Sequence, residues 1–149
     1  MNELITVYDY IKSVFDSDNT NANITRVPFE DIGIIKNALY PFVNVDYTGV
    51  RYENGLIIFK FTIYALAKRD VSKQLIQNWW DNQDNKIDNQ IATENILRRF
   101  IFTIENLQND FDIEMISRTE LQSGSALFLD MLDGHSFDVE FGITNEIEC

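Results

Sequence analysis

The residues of this 149-residue chain best suited to acid–base or metal chemistry gather in its last quarter. The sole histidine, His135, follows Asp130, Asp133 and Gly134 and precedes Asp138 and Glu140, with Ser123, Ser125 and Ser136 as nearby hydroxyls. A histidine beside a serine can act as general base to a nucleophile, and grouped carboxylates can bind a divalent cation or work as an acid/base pair. The spacing argues against each of these. There is no second imidazole to complete a zinc site or a proton relay, no G-x-S-x-G elbow presents a serine, and the carboxylates do not follow the spacing of a calcium loop. His135 reads instead as a turn residue after Asp133-Gly134. Asp138 and Glu140, two apart in a strand, read as the wet face of a half-exposed strand. A hydrolase built on Asp130, Asp133, Asp138 and His135 is therefore the least favoured reading, and no catalytic residue, cofactor or bound metal is expected.

Phosphate chemistry fares no better. The six glycines are scattered, and neither G-x-G-x-x-G nor the Walker pattern occurs. Lys68-Arg69 and Arg98-Arg99 are the only basic pairs, and they read as surface charges or salt-bridge partners. With 12 Lys+Arg against 24 Asp+Glu, a net charge of −12, the electrostatic term that dominates nucleic-acid binding has the wrong sign. A basic protein surface, or a channel to which DNA must not adhere, suits this balance.

The elements that would position these residues follow from apolar periodicity. Leu4, Ile5, Tyr8, Ile11, Val14 and Phe15 recur at helical spacing and predict an amphipathic helix that ends in the polar run 17–23. The span 24–37 could be strand or short helix. YPFVNVDY (40–47) alternates as a strand, TGVRYENG supplies turn residues at Gly49 and Asn54-Gly55, and LIIFKFTIYALA forms a long strand apolar on both faces. One face should meet a helix and the other something else. An amide-rich loop carrying Trp79 and Trp80 leads to a second helix, from about Asp88 as N-cap to Asn109. Its apolar side is Ile87, Ile91, Leu97, Phe100, Ile101, Ile104 and Leu107, and Phe102 lies off that stripe near Arg98 and Arg99. Strands follow over 111–121, broken by Gln122-Ser123-Gly124-Ser125, then ALFLDML up to an Asp133-Gly134 turn, and an alternating strand from Ser136 to Ile147. This order predicts one α+β domain over 1–149, a mainly antiparallel sheet packed on one side by two helices.

At 149 residues and 45% hydrophobic content one core is expected, and the lone Cys149 can form no intrachain disulfide. The N-terminus has no Lys/Arg-flanked apolar run, and no apolar stretch approaches the roughly 18 residues of a membrane span. The expectation is cytosolic synthesis without a signal peptide. The doubly apolar strand, Trp79, Trp80 and Phe102 leave more hydrophobic surface than a monomer of this size readily hides, which predicts self-association.

Tyr40-Pro41-Phe42-Val43-Asn44-Val45, the strand FKFTIYALAKRD (59–70), the helix ENILRRFIFTIENL and the tail GHSFDVEFGITNEIEC occur in an order that resembles the tail terminator, or tail completion, and related neck proteins of tailed bacteriophages. The likeness covers most of the chain, although Gly134-His135 stands where that family would carry Gly-Trp. It implies a virion protein: a homo-oligomeric ring, commonly of six copies, which caps the tail tube or joins tail to head while double-stranded DNA passes through without specific binding. Neighbouring tail-tube or head-connector proteins would be its partners, with no membrane involved. Six copies would bring about 70 excess negative charges, and those facing the lumen would repel phosphate. Trp79, Trp80, Phe102, Arg98 and Arg99 are the candidate interface residues. The competing reading is a small acidic adaptor that binds a basic protein.

Overall fold

The computed structural model describes residues 3–17, 23–26, 41–68, 86–106, 112–127 and 132–144. Among them run α1 (Glu3–Ser17), β1 (Asn23–Thr25), β2 (Phe42–Glu53), β3 (Leu56–Lys68), α2 (Lys86–Asn106), β4 (Glu114–Arg118), β5 (Gln122–Leu127) and β6 (Leu132–Thr144). The strands form one six-stranded sheet in the order β1-β2-β3-β6-β4, with β5 also paired to β6. Only β1 and β2 run parallel. This is the α+β class that the sequence predicts.

The period-2 alternation of β3 and β6 decides what is buried. The two strands pair without a register shift from Leu56↔Thr144 to Lys68↔Leu132. Cross-strand partners share a face, so Ile57, Phe59, Phe61, Ile63 and Ala65 come together with Phe137, Val139, Phe141 and Ile143 to make one apolar surface, all of it buried. Rings on both helices meet that surface. Tyr8 and Tyr10 of α1 stand edge-on to Phe61 and Phe141 with centroids 5.4 and 5.7 Å apart. Phe100 of α2 lies 6.1 Å from Phe137 and stacks on Phe15 of α1 at 4.4 Å. Each such side chain taken out of water contributes about 1.5–3 kcal/mol before entropy is charged against it. On the other face Ile58 and Leu66 are also buried, Thr62 and Tyr64 are half-buried and Lys60 is exposed.

The Asn54-Gly55 turn closes the β2–β3 hairpin with φ of 50° and 77°, the pair of positive values a two-residue type I′ connection needs. Gly49 makes no turn. β2 continues through it to Glu53, because β3 offers a ladder along its whole length, and the irregularity shrinks to a bulge between Tyr47 and Gly49. The bulge realigns the strand so that Tyr47, Val50 and Tyr52 pair with Phe61, Phe59 and Ile57 and lie on the helix-bearing face.

Several expected breaks are strand. Ser123-Gly124 falls inside β5, where Ser123 faces His135. Asp133-Gly134 is the start of β6 and pairs with Ala67 and Leu66 of β3. The glycine is needed there for close approach: a Cβ on Gly134 would overlap the Ala65 carbonyl oxygen. α2 starts at Lys86, two residues before Asp88, whose carboxylate lies in the first turn and still meets the positive end of the helix dipole. Ile87 and Ile91 are exposed, not part of the apolar side. The buried face is Asn89, Thr93, Ile96, Leu97, Phe100 and Ile104, since at 100° per residue Ile87 and Ile91 fall on the far side of the helix from Phe100.

Gly134→Ala should destabilise the protein by about 3 kcal/mol, because the added methyl meets backbone and not a movable side chain. Urea unfolding followed by circular dichroism checks this. A midpoint equal to that of the parent chain would contradict the close approach.

Candidate functional site

Two residues of the carboxylate and histidine group, Asp133 and His135, lie two apart on β6 and face α2. Their partners on the helix, Asn89 and Thr93, are one turn apart and on the same side. The Asn89 amide donates to the Lys68 carbonyl at 3.0 Å and to Asp133 Oδ2 at 3.3 Å, which ties α2 to both central strands. The Thr93 hydroxyl reaches the Asn89 carbonyl at 2.8 Å and stands 3.0 Å from His135 Nδ1. Thr93 and Asp133 are fully buried and Asn89 nearly so, at 8% exposure.

A hydroxyl carries one hydrogen, and its shortest contact directs it to a carbonyl that can only accept. Nδ1 of His135 is then the donor to Thr93, an arrangement open to the ring in either charge state. Burial pushes the His135 pKa below its ordinary value, with the nearby Glu94 carboxylate opposing it.

The fold disperses the rest of the group. Ser136, next in the strand, alternates to the opposite face, and the exposed Ser123 is the cross-strand neighbour of His135. Asp130 and the side chain of Ser125 lie outside the described residues. Asp138 and Glu140 face away from α2, but they are half-buried and engaged, which corrects the wet-face reading. Asp138 accepts the Thr62 hydroxyl at 2.6 Å, its backbone exchanges hydrogen bonds with Thr119, and Glu140 pairs with Arg51 of β2. Tyr64 beside them has its pKa raised by burial, then by Asp46 and Asp138. Among the described residues no three His, Cys, Asp or Glu side chains are placed to hold a metal ion. What the Asp133–Asn89–Thr93–His135 cluster does is satisfy polar atoms at a helix–sheet seam.

The interface candidates fall differently. Phe102 is 65% exposed. Arg98 embraces Glu94 with two bonds of 2.8 and 2.6 Å, and Arg99 is exposed. Trp79 and Trp80 lie outside the described residues. Ile87, Ile91, Arg98 and Phe102 occupy one sector about 60° wide on the outer side of α2, a row about 22 Å long. Sequence reasoning missed a second row, Tyr47, Val50 and Tyr52 of β2, exposed by 36, 41 and 69%. Reading Gly49 as a turn hid it; running the alternation through a one-residue bulge would have exposed it.

Comparison with known protein families and with curated proteins finds no match for this chain.

The seam makes stability depend on pH. A neutral imidazole with a depressed folded pKa means that the unfolded chain binds the extra proton first, so stability is complete above the unfolded value near 6.5 and falls as pH drops toward the folded value. His135→Gln should flatten that fall relative to the parent chain. Parallel unfolding free energies for the two chains from neutral pH down to pH 5 would refute it.

Proposed function

We propose that the chain is a non-catalytic structural subunit of a tailed-bacteriophage neck or tail-completion ring, which caps the tail or joins it to the head around the DNA channel. The observation that supports this most directly is exposed apolar surface on two separate elements. Single exposed apolar side chains are ordinary. Here Ile87, Ile91 and Phe102 line up on α2, and Tyr47, Val50 and Tyr52 line up on β2, although both elements already bury a full opposite side or an adjoining stretch. Rows of this kind mark contact with another protein.

Two different rows suit a heterologous contact, in which each copy gives one row and receives the other, and such contacts close into rings when the rotation allows. The net charge of −12 supplies the second part of the mechanism, since carboxylates lining a central channel repel DNA phosphates and keep the passing duplex from adhering. Phe102 and Arg98 on α2 are the contact residues assigned to sister copies or to adjoining tail-tube and head-connector proteins. No described helix is long and apolar enough to cross a membrane.

Light scattering after size exclusion should give a multimer, with rings in negative stain. The double substitution Tyr52→Asp/Phe102→Asp should shift the mass toward the protomer while changing protomer stability by only about 0.5 kcal/mol per exposed site. A parent chain that stays monomeric at every concentration, both alone and with tail-tube or connector proteins, would overturn the reading.

A further inference from the structure

We infer that the hollow between α1 and the β1–β2 edge is a binding site for a carboxylate carried on a short apolar body. The hollow encloses about 300 Å³. Its floor is core: Ile11 and Val45 are 1% and 3% exposed, and Ile24 joins them from β1. The wall is held in place from behind, where the Thr25 hydroxyl donates to Asn44 Oδ1 at 2.8 Å and Asn44 is fully buried. The rim carries Tyr8, Lys12 and Arg26, with Asp9 as the one acid among the described lining residues. In a chain with twice as many acids as bases, the described lining itself carries two cations to one acid, with Asp46 near enough to act on Tyr8 and Asp16 beside Lys12.

Arg26 is the decisive group. Its guanidinium stands 5.1 Å from the Tyr8 ring centroid, and it makes no ion pair with a described residue. Arg51, Arg98 and Arg118 each hold a carboxylate. Arg99, which pairs with no described carboxylate, is exposed on α2. An arginine fixed by the face of a ring keeps its planar donor fork available for two parallel bonds to a carboxylate. Lys12 can add to this, because its pairing with Asp16 at 3.1 Å joins side chains exposed by 66% and 59% and is readily exchanged. The volume is at the small end of ligand sites, so the apolar body is of side-chain size.

Two sources carry that chemistry: a free small organic acid, or an acidic side chain with an apolar neighbour presented by a second copy. The site itself does not depend on the ring reading. The test is saturation-transfer NMR on the full chain with benzoate, using benzamide as the uncharged isostere. Benzoate should saturate at least about tenfold more tightly than benzamide, the order of one charge-assisted pair. Arg26→Gln, an exposed change that leaves the core intact, should remove that preference, and Val45→Phe, which fills the floor, should weaken both probes. Equal affinity for the two probes, absent saturation, or a preference undiminished in Arg26→Gln overturns the inference. A mass that falls on adding benzoate, and falls likewise in Arg26→Gln, assigns the natural carboxylate to a second copy; an unchanged mass assigns it to a free acid.

Discussion

β3 and β6 face one another over their full length with no slip in register, and this pairing fixes the position of everything else. A shift of one residue would turn Phe137, Val139 and Phe141 away from the helices and bring Ser136, Asp138 and Glu140 inward. The cost would be several buried rings on one side and unpaired carboxylates on the other. Two features guard the register. Gly134 lets the backbones approach where β6 begins, and the Thr62–Asp138 bond joins cross-strand partners on the far face. The remaining strands attach to this pair: β2 by its hairpin, β4 and β5 by sharing the outer edge of β6.

The helix seam shows how a polar cluster can specify a fold. Near its N-terminus α2 buries Asn89 and Thr93 where apolar residues would be expected, while Ile87 and Ile91 face outward. That inversion suits the sheet beneath, because the Lys68 carbonyl and Asp133 at this end of the strands require donors. Farther along the helix Ile96, Leu97, Phe100 and Ile104 meet the ring-lined surface. The helix thus has a polar end and an apolar end, and sliding it by one turn would set Asn89 against Phe137-like neighbours and leave Asp133 without its amide.

The order and class of elements were legible in the sequence because long amphipathic runs leave few alternatives: α1, β3 and the alternation of β6 follow directly from apolar spacing. Glycine was the main source of error. At Asn54-Gly55 it marks the turn it suggests, with positive φ, but Gly49 accommodates a bulge and Gly134 a close backbone approach, both demands of strand pairing that no local pattern reveals. The polar seam was hidden for a related reason. Asn89 and Thr93 look like surface residues until Asp133 and His135, more than forty positions later, are laid beneath them. Asp138 and Glu140 were placed on the correct common face, yet their partners Thr62 and Arg51 come from other strands and only pairing brings them near.

In the ring proposed above, acidic copies would have to lift their mutual repulsion where they touch, and the apolar rows have ion pairs beside them. On the outer side of α2, Arg98 neutralises Glu94 within the row, and Arg118 takes up Glu105 at its end. On the hairpin, Arg51 serves both Glu53 and Glu140 on the face behind Tyr52 and Val50. These pairs are too exposed to add much stability, about 0.2–1 kcal/mol each at best. In the proposed ring their effect would be on approach: they offset part of the acidic charge beside the apolar rows, and charges farther apart than about 8 Å are screened by physiological salt. The excess acid is then carried by the remainder of the surface, where on the proposed reading it would keep separate copies apart and offer no hold to DNA.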